Sequence, residues 1–118
     1  MRLSRAFAPE LDKRMQALEK RLSDLNETVL AGERAAETRR TAGWKEMSRE
    51  IGRQLLRLKA RVLTLTPEEF SAERAALKPQ IDIVINMKAR ELAGKAAKKD
   101  IEKFLPQYQS LMQARSSM

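Results

Sequence analysis

The side chains able to do chemistry in this sequence are carboxylates, lysines, arginines and hydroxyls, because the chain contains neither cysteine nor histidine. That removes thiol nucleophiles, imidazole bases, disulfides and the common zinc ligand sets. The carboxylates do pair at helical spacing: Glu33 with Glu37, Glu46 with Glu50, and Glu69 with Glu73. A di-metal helical site needs more, namely carboxylates converging from several facing helices, usually with histidine, inside an apolar core. Here each pair is flanked by basic residues, so the carboxylates read as surface ion-pair formers. No catalytic residue, metal site, cofactor or small-molecule substrate is expected, and the chain is read as non-enzymatic.

The cations are arranged more suggestively. Lys45, Arg49, Arg53, Arg57 and Arg61 follow one another in steps of four, and Arg39, Arg40 and Lys59 lie close by. Cations at that spacing run along one side of a helix about 6 Å apart and could track a phosphate backbone. The competing account is a solubilising face on which Glu46 and Glu50 neutralise Arg49, Arg53 or Arg57. A second basic cluster comprises Lys88, Arg90, Lys95, Lys98, Lys99 and Lys103. The stretch Gly94-Lys95-Ala96-Ala97-Lys98-Lys99 within it lacks the several glycines and the preceding strand of a phosphate-binding turn, so a solvated helix end is the plainer reading. With three Phe, one Tyr and one Trp in the chain, base stacking is not the expected mode. Any nucleic-acid contact should be to phosphates and sensitive to salt, with DNA slightly favoured over RNA.

Helices must carry these residues, because the apolar side chains recur at helical intervals. Leu11, Met15, Leu18, Leu22, Leu25 and Val29 are spaced 4, 3, 4, 3 and 4 apart, a seam suited to one long partner helix. Pro9 can open this helix, and Glu10 and Asp12 suit its positive end. In register the seam then meets Gly32, Ala36, Arg39, Gly43 and Glu46. The favoured reading is a turn near Gly32 that makes a hairpin; the alternative is one long helix whose small residues admit a close neighbour. A second seam runs through Trp44, Met47, Ile51, Leu55, Leu58, Val62 and Leu65, widened by Leu56 and Leu63, with Trp44 read as a packing anchor.

Thr66-Pro67-Glu68-Glu69 is a helix start, with Thr66 as cap, Pro67 in the first helical position and Glu69 completing a capping box. The helix that follows places Phe70, Leu77, Ile81, Val84, Ile85 and Leu92 on its apolar side, and Pro79 is expected to kink it or divide it after Leu77. Ile81-Asp82-Ile83-Val84-Ile85 alternates like a strand but is read as buried helix. Gly94 is a plausible helix end, and Ile101, Phe104, Leu105, Tyr108, Leu111 and Met112 form a last helical pattern interrupted by Pro106.

The sequence thus predicts an all-α protein, an antiparallel helical hairpin or small helical bundle with coiled-coil-like packing, and an oligomer. Its expected segments are a flexible N-terminal arm over 1–8, a helical hairpin or interrupted long helix over 9–65, a helical segment over 66–113 kinked near 79 and 106, and a flexible tail over 114–118. The helix-packing interface is assigned to Leu11, Met15, Leu18, Leu22, Leu25, Val29, Trp44, Ile51, Leu55, Leu58, Val62 and Leu65. The candidate polyanion site is Arg39, Arg40, Lys45, Arg49, Arg53, Arg57 and Arg61.

Net charge is +8, with 9 basic against 3 acidic residues between positions 34 and 65. Such a field favours acidic partners of any kind. The first expectation is a helical interaction protein, an adaptor, scaffold or assembly component that oligomerises or docks on a macromolecule. The second is a basic nucleic-acid-binding protein. No membrane-spanning run or secretory signal pattern is read, membrane binding is not expected, and the expected place is the cytoplasm or an intracellular assembly.

Overall fold

The computed structural model describes residues 8–117 and is all-helical, with no strand among the described residues. Among the described residues three helices follow in order: α1 (Ala8–Arg40), α2 (Ala42–Ala60) and α3 (Pro67–Ser116). Residues 1–7 and 118, within the expected arm and tail, lie outside the described residues. Residue 8 is already helical, and α3 continues through Arg115 and Ser116, beyond the expected start of the tail at 114.

The first helix does not turn at Gly32. It continues to Arg40 and is interrupted only at Thr41, whose extended backbone (φ −69°, ψ 148°) stops one helix and caps the next. The Thr41 hydroxyl accepts from the Trp44 N–H at 3.2 Å and donates to the Thr38 carbonyl at 2.7 Å. The side chain therefore satisfies an orphan N–H of α2, as capping requires, and adds a second donor to the Thr38 carbonyl, which also accepts from the Thr41 N–H at 3.1 Å. Arg39 and Arg40 in the last turn of α1 suit its negative end.

The start of α3 follows its sequence signal, with the Glu69 N–H donating to Thr66 Oγ1 at 3.1 Å. Neither Pro79 nor Pro106 divides the helix, nor does it end at Gly94. A proline inside a helix frees the carbonyl four residues earlier. Both prolines are exposed, as are Ala75 and Glu102, so water can take the freed carbonyls. Ile81–Ile85 is helical, but of its four apolar residues only Ile81 and Val84 are half-buried; Ile83 and Ile85 are 50% and 57% exposed. Leu92 also departs from the apolar side expected for it, at 56% exposed.

The helices form two compact units. One comprises residues 8–33 of α1 with residues 92–117 of α3; the other comprises residues 34–91. In the first unit the two helix segments run antiparallel. Asp12 meets Arg115, Glu19 accepts from the Tyr108 hydroxyl, the Arg21 guanidinium lies 4.4 Å from the centre of the Phe104 ring, and Gly32 meets Gly94. From Asp12 to Gly32 is twenty residues and from Arg115 back to Gly94 twenty-one, so the two helices keep pace along their whole contact. The partner of the first seam is thus the far end of the chain, where the hairpin reading placed the next helix.

At Gly94 the backbones nearly touch. A Cβ there would lie 2.9 Å from Gly32 Cα and 3.3 Å from the Thr28 carbonyl oxygen. Gly32 and Gly94 are buried, and Ala97 is 4% exposed. The small residues that look in sequence like an end of the seam extend it at closer range, because without side chains the helix axes can approach.

In the second unit α2 and the early part of α3 form a hairpin through the turn at 61–66. Arg61 reaches Glu73 at 3.1 Å, and Leu58 and Leu77 share a groove with Gln54, Ala76 and Arg57. Arg39 at the end of α1 pairs with Glu91 of α3. Ile51 (6% exposed) and Leu58 (5%) hold the α2 side of this packing, and Ala35 is buried in the α1 segment.

Candidate interaction surfaces

The helix-packing residues named by the sequence separate by depth. Leu11, Ile51 and Leu58 are buried; Met15, Leu18, Leu22, Leu25, Val29, Trp44, Leu55 and Leu65 are half-buried; Val62 is exposed. The seam through the first unit is therefore covered on one side by α3 and still partly open. Among the described residues no side chain is fully buried. Leu30, Leu105 and Met112 of the same unit are each more than 40% exposed or at that value. Beside the seam, Leu18 and Leu111 line an open groove of about 600 Å³ with Arg14, Ala17, Gln107 and Ser110.

The geometry gives the basic strip a different character from an even row of free cations. Arg53 sits between two carboxylates, 2.7 Å from Glu46 and 2.9 Å from Glu50. Arg57 lies 3.8 Å from Glu50, Arg49 lies 3.8 Å from Glu46, and Arg61 reaches Glu73. Arg39 is engaged with Glu91. Lys45 and Arg40 make no ion pair among the described residues, and both are exposed.

The electrostatics follow from these bonds. Hydrogen bonds from Arg53 and then Gln54 hold the Glu50 carboxyl below its usual range, and the hydrogen bonds to Glu46 and Glu50 raise Arg53 further. Exposed ion pairs of this kind are screened by solvent and salt and contribute little each. Lys88, Arg90, Lys95, Lys98, Lys99 and Lys103 are all exposed along α3. Lys103 lies 5.5 Å from the centre of the Phe104 ring.

Of the three carboxylate pairs only part forms ion pairs among the described residues: Glu46 and Glu50 share Arg53, and Glu73 binds Arg61, while Glu33, Glu37 and Glu69 make none. Among the described residues no group of three or more acidic side chains is placed to hold a metal ion. No described helix is long and apolar enough to cross a membrane.

Several residues that fix the first unit stand outside the sequence-derived set: Glu19 with Tyr108, Asp12 with Arg115, Arg21 with Phe104, and Gly32 with Gly94. Tyr108 and Phe104 belong to an apolar pattern visible in the sequence. Their partners follow only once the antiparallel register is known. No family model, curated protein or solved structure matches this chain.

Proposed function

We propose that this is a non-enzymatic helical interaction protein, an adaptor, scaffold or assembly component that works by oligomerising or by docking on a macromolecular partner through its helix faces. The observation that carries this reading is the incomplete burial of a regular apolar seam. Met15, Leu18, Leu22, Leu25 and Val29 keep coiled-coil spacing, yet the facing segment of α3 leaves all five half-buried. Burying an apolar side chain of this size is worth about 1.5–3 kcal/mol when complete, so a further helix in the groove beside Leu18 and Leu111 would gain stability from contacts the chain leaves unmade. Coiled-coil packing and self-association belong to this proposal.

Nucleic-acid binding is the second reading, favoured by the +8 charge and by exposed Arg40 and Lys45. It is weakened along the strip itself, where Arg49, Arg53, Arg57 and Arg61 already have carboxylate neighbours.

Thermal unfolding followed against protein concentration tests the proposal, since a partner that binds only the folded chain raises the midpoint by mass action. The interaction reading predicts a midpoint that rises with concentration or on adding a protein partner. A concentration-independent midpoint that rises only with a short DNA duplex at low salt would instead favour nucleic-acid binding.

A further inference from the structure

The cations of α2 are sorted into two flanks, and only one of them is neutralised. At about 100° per residue, Arg53, Arg57 and Arg61 fall on the same flank as Glu46 and Glu50. Arg53 binds both of these carboxylates, Arg57 approaches Glu50 and Arg61 binds Glu73. On the other flank stand Lys45, Arg49, Gly52, Leu56 and Lys59, spaced 4, 3, 4 and 3 apart, and Leu63 continues the series four residues on. This second flank contains no acidic residue. Lys45 and Lys59 make no ion pair among the described residues, and Arg49 has only the 3.8 Å approach of Glu46 while remaining 68% exposed.

One large apolar side chain stands in this row and another follows it in the turn. Leu56 is 67% exposed, and Leu63, in the turn that follows the helix, is 96% exposed. One turn before Leu56, Gly52 has nothing within 4 Å of where a Cβ would stand, so the row has a recess beside a projecting leucine. A projection, a recess and alternating steps of four and three are what a helix needs to seat knobs from another helix.

We infer that the Lys45–Arg49–Gly52–Leu56–Lys59–Leu63 face is a docking surface for an acidic amphipathic helix of another protein. The inference rests on the interaction reading above and names the face and the chemistry of the partner. Charge complementarity selects this occupant: carboxylates flanking an apolar stripe would meet Lys45, Arg49 and Lys59 while the stripe covers Leu56 and Leu63. A second copy meeting this face with its own would bring like charges together. A phosphate backbone would leave both leucines uncovered. A bilayer would have only these two leucines to bury, where stable attachment takes a broad apolar face.

The test is binding of the full-length chain to a labelled synthetic helix of about three heptads with leucine at a and d and glutamate at e and g. Its counterpart with lysine at e and g, anionic phosphatidylserine vesicles and a short DNA duplex are run beside it. The glutamate peptide should bind and weaken as salt rises. The double change Leu56→Gln and Leu63→Gln, at largely exposed side chains, should weaken binding about tenfold or more with helicity unchanged. Arg53→Gln with Arg57→Gln, on the neutralised flank, should leave it within about twofold.

Equal binding of the lysine peptide, or binding of vesicles or DNA without the glutamate peptide, would overturn the inference. So would failure of the wild-type chain to bind the glutamate peptide at all. Full binding by the Leu56 and Leu63 variant would overturn the choice of face while leaving the broader interaction reading intact. That broader reading fails separately, on an unfolding midpoint that is independent of concentration and rises only with DNA.

Discussion

Replacing Gly94 by alanine isolates the contact that lets α1 and α3 run side by side. The added methyl would stand 2.9 Å from Gly32 Cα, 3.3 Å from the Thr28 carbonyl oxygen and 3.5 Å from the Gly32 nitrogen. All three are backbone atoms, so no side chain can swing away. Ordinary carbon–carbon contact is about 3.5–4.0 Å, and the helices would have to part by roughly 0.6–1.1 Å. Overpacking of this kind costs about 1–3 kcal/mol. Against it stands the gain of about 1 kcal/mol from replacing an interior helical glycine by alanine. Gly52→Ala, also inside a helix but with nothing within 4 Å, receives that gain alone. The two substitutions should therefore differ by about 1–3 kcal/mol, with Gly52→Ala stabilising and Gly94→Ala destabilising. At about 4 °C per kcal/mol for a chain of this length, their thermal midpoints by circular dichroism should separate by about 4–12 °C. Equal stabilisation by both would refute the close crossing of Gly32 and Gly94.

Tyr108 donates to Glu19, and that hydrogen bond, then burial, then the neighbouring negative charge raise its ionisation above the ordinary value of 10.0. This contribution to stability is fully present below that value and is lost as pH climbs through the raised one. Spectrophotometric titration of the single tyrosine should show the raised midpoint, and Glu19→Gln should return it toward normal; an unchanged midpoint would contradict the Glu19 contact. Leu58→Ala, at a side chain only 5% exposed, should destabilise the chain by about 2–4 kcal/mol in thermal or denaturant unfolding. Arg53→Gln breaks two exposed ion pairs and should move the unfolding midpoint far less than Leu58→Ala does in the same assay; an equal shift would contradict the exposed character of these pairs.

The all-helical class was legible because the apolar residues repeat at helical steps, and the start of α3 was legible because Thr66, Pro67 and Glu69 act locally. The pairing of α1 was not. Gly32 carries the same sequence signal whether it ends a helix or lets another helix approach, and the deciding residue, Gly94, lies sixty-two positions away. Pro79 and Pro106 break helices in general, yet whether they do so depends on whether water reaches the carbonyls they free. The basic strip was visible as a row of cations. Its division into a neutralised and an open flank follows from the rotations of Glu46 and Glu50, which a count of charges hides.

The most direct test of the central claim is light-scattering mass of the full chain during size-exclusion chromatography, at about 50 and 500 mM salt, where screening lengths differ severalfold. The chain is measured alone, with the glutamate-bearing helical peptide and with a short DNA duplex. A helical interaction protein should give either a mass above the 13.5 kDa of one chain or a defined complex with the peptide at low salt. A complex with DNA alone would contradict it, and a mass of one chain under every condition would remove both self-association and the acidic-helix face.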